Sequence, residues 1–315
     1  MDLDPLRMIA GDRGFFTRPE AKNAGHSDVD ITRLVRNGTW VRIRRGAYVF
    51  ADSWALSSPV ARHAIHLRAV LHSLGDRVAA SHISGVVAHG IDTWRIPLDR
   101  IHVTRLDGGA GRLERDVVHH EGFCDADDLA RADGLSVLRA ERCVLEAASR
   151  ADPEAAFCLL ESGLRSGLFT PHALRERQKL MQHWPFMHRL MPWMPLASGD
   201  SGSVGESRGI WLFAQAGLPM PVRQFKVYRR DGSLAGIADW AWPELKTLGE
   251  FDGRAKYGRA LADGQDPGDA VFREKTREDE LRELTGMSMI RLTWPDYDRP
   301  AETVRRLLRG LRLTG

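Results

Sequence analysis

The chain has 315 residues, which is long for one compact core, so two or three domains are expected. A hydrophobic fraction of 43% and a charged fraction of 28% exclude large-scale disorder, and the net charge of +3 is too small to indicate a nucleic-acid partner by itself. Three widely spaced cysteines without a C-x-x-C spacing argue against a disulfide framework or a zinc site. The apolar runs are too short to span a bilayer and the N-terminus lacks a signal-peptide pattern, so we expect a cytoplasmic protein with no membrane partner.

Residues 1–55 predict a winged helix-turn-helix domain. Thr17 and Glu20 have the spacing of a capping box, which marks the start of one helix, and Ser27 or Asp28 can cap the next. Asn37-Gly38 ends that second helix, and the residues from 40 to 49 alternate as a strand pair that turns near Arg45-Gly46. In a winged helix-turn-helix the second helix enters the major groove and the hairpin contacts phosphate.

The charge distribution in this region favours DNA over a hairpin that is basic by chance. No acidic residue lies between Asp30 and Asp52. The arginines inside that window are Arg33, Arg36, Arg42, Arg44 and Arg45. We therefore predict that they form a double-stranded DNA-binding surface, the alternative being a small helical domain with a basic hairpin on its surface.

The same residues resemble the N-terminal domain of AbiEi-family antitoxins. The similar stretches are Phe-Phe-Thr-Arg-Pro-Glu-Ala at 15–21 and Leu-Val-Arg-Asn-Gly-Thr-Trp-Val-Arg-Ile-Arg-Arg-Gly-Ala-Tyr-Val at 34–49. Members of that family are transcriptional regulators of abortive-infection toxin-antitoxin pairs. The resemblance implies a role in phage defence, a cognate toxin or defence partner, and contact of Arg33, Arg36, Arg42 and Arg44 with DNA.

Residues 56–195 are expected to form a mixed α/β middle domain. The patterns predict helices at 59–74, 81–90 and 135–149, and strands at 96–104 and 115–120. The segment Ser-His-Ile-Ser-Gly-Val-Val-Ala-His-Gly at 81–90 is similar to one that follows the winged domain in the same antitoxin family. His63 and His66 lie one helical turn apart, but surface or core histidines explain them better than a metal site does. No chemistry is assigned to this region, and a connector or scaffold is the expected role.

A Gly/Ser-rich break near residues 196–203 separates a third domain, 203–315. The patterns predict a helix at 203–216, three strands at 223–229, 233–242 and 245–251, a helix at 269–284, a strand at 287–294 and a closing helix at 301–311. The predicted order is αβββαβ, followed by that last helix. The whole chain is therefore expected to be an α/β multidomain protein.

Acidic residues interrupt two strand patterns of this third domain. Glu250 and Asp252 share one strand face, with Phe251 on the other, and Asp239 can lie beside them if the strands pair across Pro243-Glu244. Three convergent carboxylates are tolerated chiefly when a divalent cation neutralises them.

This third domain resembles the PD-(D/E)xK nuclease superfamily, and more narrowly its very-short-patch-repair-like branch. The resemblance rests on Gly217-Leu-Pro-Met-Pro, Asp239-Trp-Ala-Trp-Pro, Glu250-Phe-Asp-Gly and Phe-Arg-Glu-Lys-x-Arg-Glu-Asp-x-Leu-Arg at 272–282. It implies a restriction-endonuclease-like core in which Asp239 and Glu250 hold Mg²⁺ or Mn²⁺, with Glu206 directed at the same cation.

One position departs from the superfamily pattern, because Asp252 stands where its lysine is usual. Asp252 is then a further ligand, with Lys256 or Lys275 supplying the positive charge, or the site is degenerate. The catalytic set expected for an active enzyme is Asp239, Glu250, Asp252 and Lys256. Two functions remain open: a metal-dependent deoxyribonuclease positioned on duplex by the winged domain, or an AbiEi-like regulator whose nuclease fold is inactive. An RNA-directed nuclease is a third, weaker interpretation.

Overall fold

The computed structural model describes residues 4–253 and 277–313 and divides the chain into two compact units. The first unit contains residues up to 151 together with 168–190. The second contains 152–167 together with the chain from 191 onward. The chain passes from the first unit to the second at residue 152 and returns at residue 168, so neither unit is one continuous segment of sequence.

The N-terminal part of the first unit has helices and strands in winged helix-turn-helix order. They are α1 (Pro5–Arg13), β1 (Phe16–Thr17), α2 (Arg18–Asn23), α3 (Asp28–Arg36), β2 (Trp40–Arg44) and β3 (Ala47–Phe50). The capping box predicted at Thr17 and Glu20 is present, and Ser27 caps α3 in a second box. β2 and β3 form an antiparallel hairpin and β1 adds to the outer edge of β3.

Aromatic side chains hold α3 against this small sheet. Phe16, Trp40 and Phe50 are all buried, and the Phe16 and Trp40 rings meet edge to face with centroids 4.7 Å apart. Ile31 is the buried residue of α3 in the same cluster. Burying such rings removes a large apolar area from water, which fixes the helix relative to the hairpin.

The rest of the first unit is a six-stranded mixed sheet with helices around it. Its helices are α4 (Ala51–Leu56), α5 (Pro59–Leu74), α6 (His82–Ala88), α7 (Ala140–Ala148) and α9 (Pro171–Leu180). Its strands are β4 (Val78–Ala80), β5 (Ile101–Arg105), β6 (Arg112–Leu113), β7 (Val117–His120), β8 (Leu129–Ala132) and β9 (Leu135–Leu138). The strand order is β6-β7-β5-β4-β9-β8, and the β5–β7 pair is parallel.

The helix predicted at 135–149 is wrong in its first turn. Residues 135–138 form β9, which pairs with both β4 and β8, and the helix begins only at Ala140. β9 forms a hairpin with β8 and a bridge to β4, and every residue of α7 is buried, so a short buried strand is followed at once by a fully buried helix. Periodicity therefore could not separate the short strand from the helix that follows.

The second unit contains a four-stranded sheet with helices before and after it in sequence. Its elements are α8 (Pro153–Arg165), α10 (Val204–Gln215), β10 (Val222–Tyr228), β11 (Leu234–Trp242), β12 (Thr247–Asp252), α11 (277–285), β13 (Ser288–Thr293), α12 (Trp294–Tyr297) and α13 (Pro300–Gly310). The strands lie in the order β10-β11-β12-β13. The first two pairings are antiparallel and β12–β13 is parallel.

Two glycines let α10 approach this sheet closely. A methyl group at Gly205 would lie 1.9 Å from the Phe251 ring, and one at Gly209 would lie 2.2 Å from Trp240. The Tyr297 hydroxyl also donates to the Gly205 carbonyl at 2.6 Å. These contacts fix the first turn of α10, and with it the position of Glu206.

No helix in the described ranges is both long and apolar enough to cross a membrane.

Candidate functional site

The outer face of α3 is the first candidate surface. Val29, Thr32, Arg33 and Arg36 follow the i, i+3, i+4, i+7 spacing of one helix face, and all are exposed. Val29 is an apolar side chain that is 76% exposed on this face. An exposed apolar side chain between hydroxyl and guanidinium groups is chemically suited to contact bases and phosphates together.

The wing arginines divide into two groups. Arg42 and Arg45 are exposed. Arg44 is only 15% exposed, and its guanidinium lies 3.7 Å from the carboxylates of Glu114 and Asp116. The structure therefore brings four of the five predicted arginines to the surface and turns Arg44 into the unit, toward carboxylates about 70 residues away in sequence.

The predicted acidic residues lie on three elements of the second unit. Asp239 is in β11, Glu250 and Asp252 are in β12, and Glu206 is in the first turn of α10. Trp240 pairs with Gly249 in the antiparallel register, so the next pair along places Asp239 opposite Glu250. The Asp239 Oδ2 atom accepts a hydrogen bond from the Phe251 amide at 2.7 Å.

Asp239 carries the clearest electrostatic signal of this site. Burial raises its pKa from 3.8 to about 7, and the negative charges of Glu206 and Glu250 add to that rise. The Phe251 amide and Arg277 act in the opposite direction and do not cancel it. A carboxyl group that is buried beside other carboxylates is the setting of many catalytic and metal-binding acids.

Glu250 is buried, and its charge is neutralised by two arginines that sequence reasoning did not identify. Arg277 donates to Glu250 Oε1 at 2.9 Å. Arg291, its register partner on β13, lies 3.9 Å from Glu250 Oε2 and 3.9 Å from Asp252 Oδ2. In the sequence, Arg291 is the lone arginine within the apolar pattern at 287–294, which could have marked it as a partner for a buried acid.

Glu206 lies in the first turn of α10 and contacts both the backbone before the helix and a residue of β10. Its Oε2 atom accepts hydrogen bonds from the Gly202 amide and from Gln224 Nε2, both at 2.7 Å. It is buried, and its charge contributes to the raised pKa of Asp239. Lys256 and Lys275, the candidate sources of positive charge, lie outside the described residues.

A second polar cluster lies in the first unit, in the region to which no chemistry was assigned. His82, His102 and His120 come together there, with ligand atoms all within 4.8 Å of one another. The sequence indicates this cluster only through an enrichment of histidine in the region, since eight of the twelve histidines fall between residues 63 and 120. His63 is a core histidine, as expected, with its ring nitrogens 3.0 Å from the Leu98 carbonyl and 2.9 Å from Ser84 Oγ.

Comparison with known proteins supports the N-terminal resemblance. Residues 4–51 match the family described as "Transcriptional regulator, AbiEi antitoxin". This match confirms an AbiEi antitoxin regulator domain at the N-terminus, and the family suggests a DNA-binding regulatory role.

Mycobacterial proteins share part of the chain. The uncharacterized proteins MT2308 and Rv2248 of Mycobacterium tuberculosis are each 27% identical over 119 residues, which is 38% of this chain and 40% of each relative. The match thus spans well under half of those proteins. The crystal structure of RV2827C protein from Mycobacterium tuberculosis is 18% identical, with a TM-score of 0.41, over 72% of this chain and 87% of that chain.

Proposed function

We propose that this protein binds double-stranded DNA through its AbiEi-type domain and that its second unit is a metal-dependent phosphodiesterase of the PD-(D/E)xK kind. The observation that carries the catalytic half is the burial of Asp239 near Glu206 and Glu250: burial raises its pKa to about 7, and the negative charges of the other two carboxylates add to that rise. Glu250 is balanced by Arg277, so the group that favours a partner cation is Asp239, a buried carboxylate that accepts a hydrogen bond from the Phe251 amide. A substrate phosphate and a divalent ion complete such a site.

The DNA-binding half rests on the exposed face of α3 and the tip of the wing. Arg33 and Arg36 lie one turn apart on α3, and Arg42 and Arg45 extend from the hairpin. Guanidinium groups pair well with phosphate because their donors match its oxygens in a fixed plane. The helix is presented to the major groove and the wing to the flanking backbone, as in other winged domains.

The donor set of the acidic site fits a hard divalent cation. Mg²⁺ is usually held by one or two carboxylates, with water and substrate phosphate filling its other positions. Asp239 and Glu250 on facing strand positions meet that requirement, and Glu206 adds negative charge. When bound, Mg²⁺ or Mn²⁺ would polarise a phosphodiester and lower the pKa of a bound water.

Arg277 and Arg291 take the place of the usual lysine in this proposal. Both approach the Glu250 carboxylate, Arg277 at 2.9 Å and Arg291 at 3.9 Å. A guanidinium beside the scissile phosphate stabilises the negative charge that develops on its oxygens. Arg291 is held in place by Glu278, to which it donates a hydrogen bond at 2.7 Å, and Asp252 lies 3.9 Å from the same guanidinium.

A second candidate function is an AbiEi-like regulator or antitoxin whose nuclease fold is inactive. The observation in its favour is the pairing of Glu250 with Arg277 at 2.9 Å, since a carboxylate already neutralised has less need of a cation. In this case the second unit serves to bind DNA or a cognate toxin partner.

Cleavage of supercoiled plasmid separates the two candidates. We expect nicking by the full chain with Mg²⁺ or Mn²⁺, and a loss on the order of 10²–10³-fold in Asp239→Ala and in Glu250→Ala. Glu244→Gln is the matched control, because Glu244 is an exposed carboxylate at the turn between the same two strands. The enzyme proposal fails if the wild type cleaves neither DNA nor RNA faster than the Asp239→Ala/Glu250→Ala double variant with either metal. The second candidate function, an inactive nuclease fold in a regulator, is then favoured.

DNA binding has an independent test. Replacing Arg33, Arg36, Arg42 and Arg45 with glutamine should weaken duplex binding and reduce the salt slope by about 0.9 for each phosphate that is no longer neutralised. Arg44→Gln is the control, because its side chain points to Glu114 and Asp116. Equal affinities and slopes for the quadruple variant and the wild type would remove the winged domain from the DNA interface.

A further inference from the structure

Three histidines from separate elements of the first unit meet at one point. His82 is the first residue of α6, His102 lies on β5, and His120 ends β7. The parallel register places His120 beside Thr104, two residues from His102 on the same strand, so both imidazoles lie on one face of the sheet. The His82 and His120 rings stack with centroids 3.6 Å apart.

The nitrogen atoms of this cluster lie close enough together to bind one metal ion. His102 Nδ1 lies 2.9 Å from His120 Nε2, and one atom from each of the three rings falls within 4.8 Å of the others. Among residues 4–253 and 277–313 this is the only group of three histidine, cysteine or acidic side chains with such spacing. The His102 and His120 nitrogens are at hydrogen-bond distance, and a tetrahedral zinc ion at about 2.0–2.1 Å from each would hold them roughly 3.3 Å apart, so binding replaces this hydrogen bond and moves the rings slightly apart.

His82 has the support that a ligand histidine usually has. Its ring Nδ1 lies 3.2 Å from Glu146 Oε2, and its backbone amide donates to the same oxygen at 3.1 Å. Glu146 is held in turn by Arg142 at 2.9 Å. A carboxylate on one imidazole nitrogen fixes the tautomer and turns the other nitrogen toward the metal.

The backbone of His82 adds an independent sign of constraint. Its φ of 48° lies in the left-handed region, which costs energy in any residue other than glycine. The strain places this side chain at the cluster, where Glu146 holds both its amide and its ring.

The cluster opens into a pocket of about 530 Å³, which leaves room for a further ligand. The lining includes Thr104, Arg150 and Trp184. The Thr104 hydroxyl is buried and has no hydrogen-bond partner within the described part of the chain, which is costly unless a ligand or water satisfies it. The lining also has two arginines, Arg142 and Arg150, which are matched in number by the carboxylates of Glu121 and Glu146.

We propose that His82, His102 and His120 bind a zinc ion whose fourth coordination position faces this pocket. Three protein ligands and one open position are the arrangement of zinc sites that bind substrates or anions, whereas structural sites are closed by four protein ligands. The donors are imidazoles, which suit Zn²⁺ and related transition metals and do not suit Mg²⁺. The site shares no residue with the carboxylate site of the second unit and does not depend on the proposed nuclease activity.

The test is metal content of the full chain after chelation, dialysis against Zn²⁺ and removal of free ion. We expect one zinc per chain in the wild type and in His172→Gln, an exposed histidine of α9. His102→Gln and His120→Gln should lose the ion, and Glu146→Gln should bind it about 10- to 100-fold more weakly. Circular dichroism establishes that each variant is folded.

A measurement on the unmodified chain guards against variants that fail to fold. X-ray absorption at the zinc edge should report three imidazole nitrogens and no sulfur, and Co²⁺ substitution should give the visible bands of a tetrahedral site. The proposal is overturned if the wild type retains no more zinc than the His102→Gln/His120→Gln variant, or if the bound zinc has sulfur or carboxylate ligands only. In that case the three rings form a hydrogen-bonded core cluster.

Discussion

Each unit contains a cluster of buried ionisable groups, and the two clusters differ in whether the neutral form of those groups can bind a metal ion. In the first unit His102 and His120 are neutral, because burial lowers the pKa of each to about 3 and about 2. In the second unit Asp239 is pushed toward its neutral form as well, to a pKa of about 7. Burial acts in the same direction on both, but neutral imidazole is a good metal ligand and protonated carboxyl is not.

The difference shows in what surrounds each cluster. The histidines need no counter-ion, and the one carboxylate beside them, Glu146, is satisfied by His82 and Arg142. The carboxylates need neutralisation, which Arg277 and Arg291 supply to Glu250 and which Asp239 obtains only in part from a backbone amide. The comparison predicts a softer ion with nitrogen ligands in the first unit and a hard ion with oxygen ligands in the second.

The largest effect is expected from Arg142→Met, which breaks the network behind the histidines. Arg142 is almost fully buried and binds Asp128 at 2.6 Å and Glu146 at 2.9 Å. Removing it takes an ion-pair partner from two buried carboxylates, so the free energy of unfolding of the first unit should fall by about 3–5 kcal/mol. Denaturant titration followed by hydrogen exchange measures this for each unit.

Arg100→Met is the control for that substitution. Arg100 is exposed and lies 3.8 Å from Asp99, so its replacement should change stability by no more than about 1 kcal/mol. A loss of similar size in both variants would mean that the Arg142 network does not support the first unit.

Gly209→Ala should produce a smaller loss of stability, confined to the second unit. The added methyl group would meet Trp240 at 2.2 Å and force α10 away from the sheet, at a cost of about 1–3 kcal/mol. Because Glu206 lies on the same helix, Mn²⁺ binding at the carboxylate site should weaken as well. Isothermal titration of Mn²⁺ and thermal unfolding measure the two effects.

Gly11, a helix glycine with open space around it, is the control for Gly209→Ala. No atom lies within 4 Å of a methyl group added at Gly11 in α1, so Gly11→Ala should stabilise the chain by about 0.5–1 kcal/mol. If Gly209→Ala is also stabilising, the close approach of α10 to the sheet is not a property of the folded protein.

An opposite pH dependence of the two units is expected in chelator-treated protein. His102 and His120 have folded pKa values below the unfolded value of 6.5, so the stability they contribute is present above pH 6.5 and is lost as pH falls. Asp239 has a folded pKa of about 7 and an unfolded value of 3.8, so its ionisation destabilises the second unit, and stability returns as pH falls from 7 toward 4.

Each group changes the slope by at most about 1.4 kcal/mol per pH unit. Hydrogen exchange at pH 7 and pH 5 reports each unit separately. Asp239→Asn should abolish the gain in the second unit and leave the first unit unchanged. A second unit that loses stability equally in wild type and variant on acidification would contradict the assigned environment of Asp239.

Local signals in the sequence predicted the elements around the carboxylates and the wing. The capping residues Thr17 and Ser27 and the turn at 45–46 depend on neighbours a few positions away, and the structure has all three. The strand pairing across 243–244 likewise follows from alternation and a turn, and it sets Asp239 against Glu250. These features are encoded within short windows, where residue pattern is informative.

Long-range pairings determined what the sequence did not reveal. The histidine cluster depends on β5 pairing in parallel with β7 and on α6 meeting both, and no short window contains two of its members. The orientation of Arg44 depends on Glu114 and Asp116, about 70 residues away. Residue pattern alone carries no information about such partners.

The central claim is that the two clusters bind different ions, and one crossed experiment tests it directly. The chain is dialysed against Zn²⁺ and Mn²⁺ together, and both metals are counted in the wild type, in His102→Gln/His120→Gln and in Asp239→Asn/Glu250→Gln. We predict that the histidine variant loses only zinc and that the carboxylate variant loses only manganese. Loss of both metals in either variant, or of neither metal in both, would contradict the assignment of two independent sites.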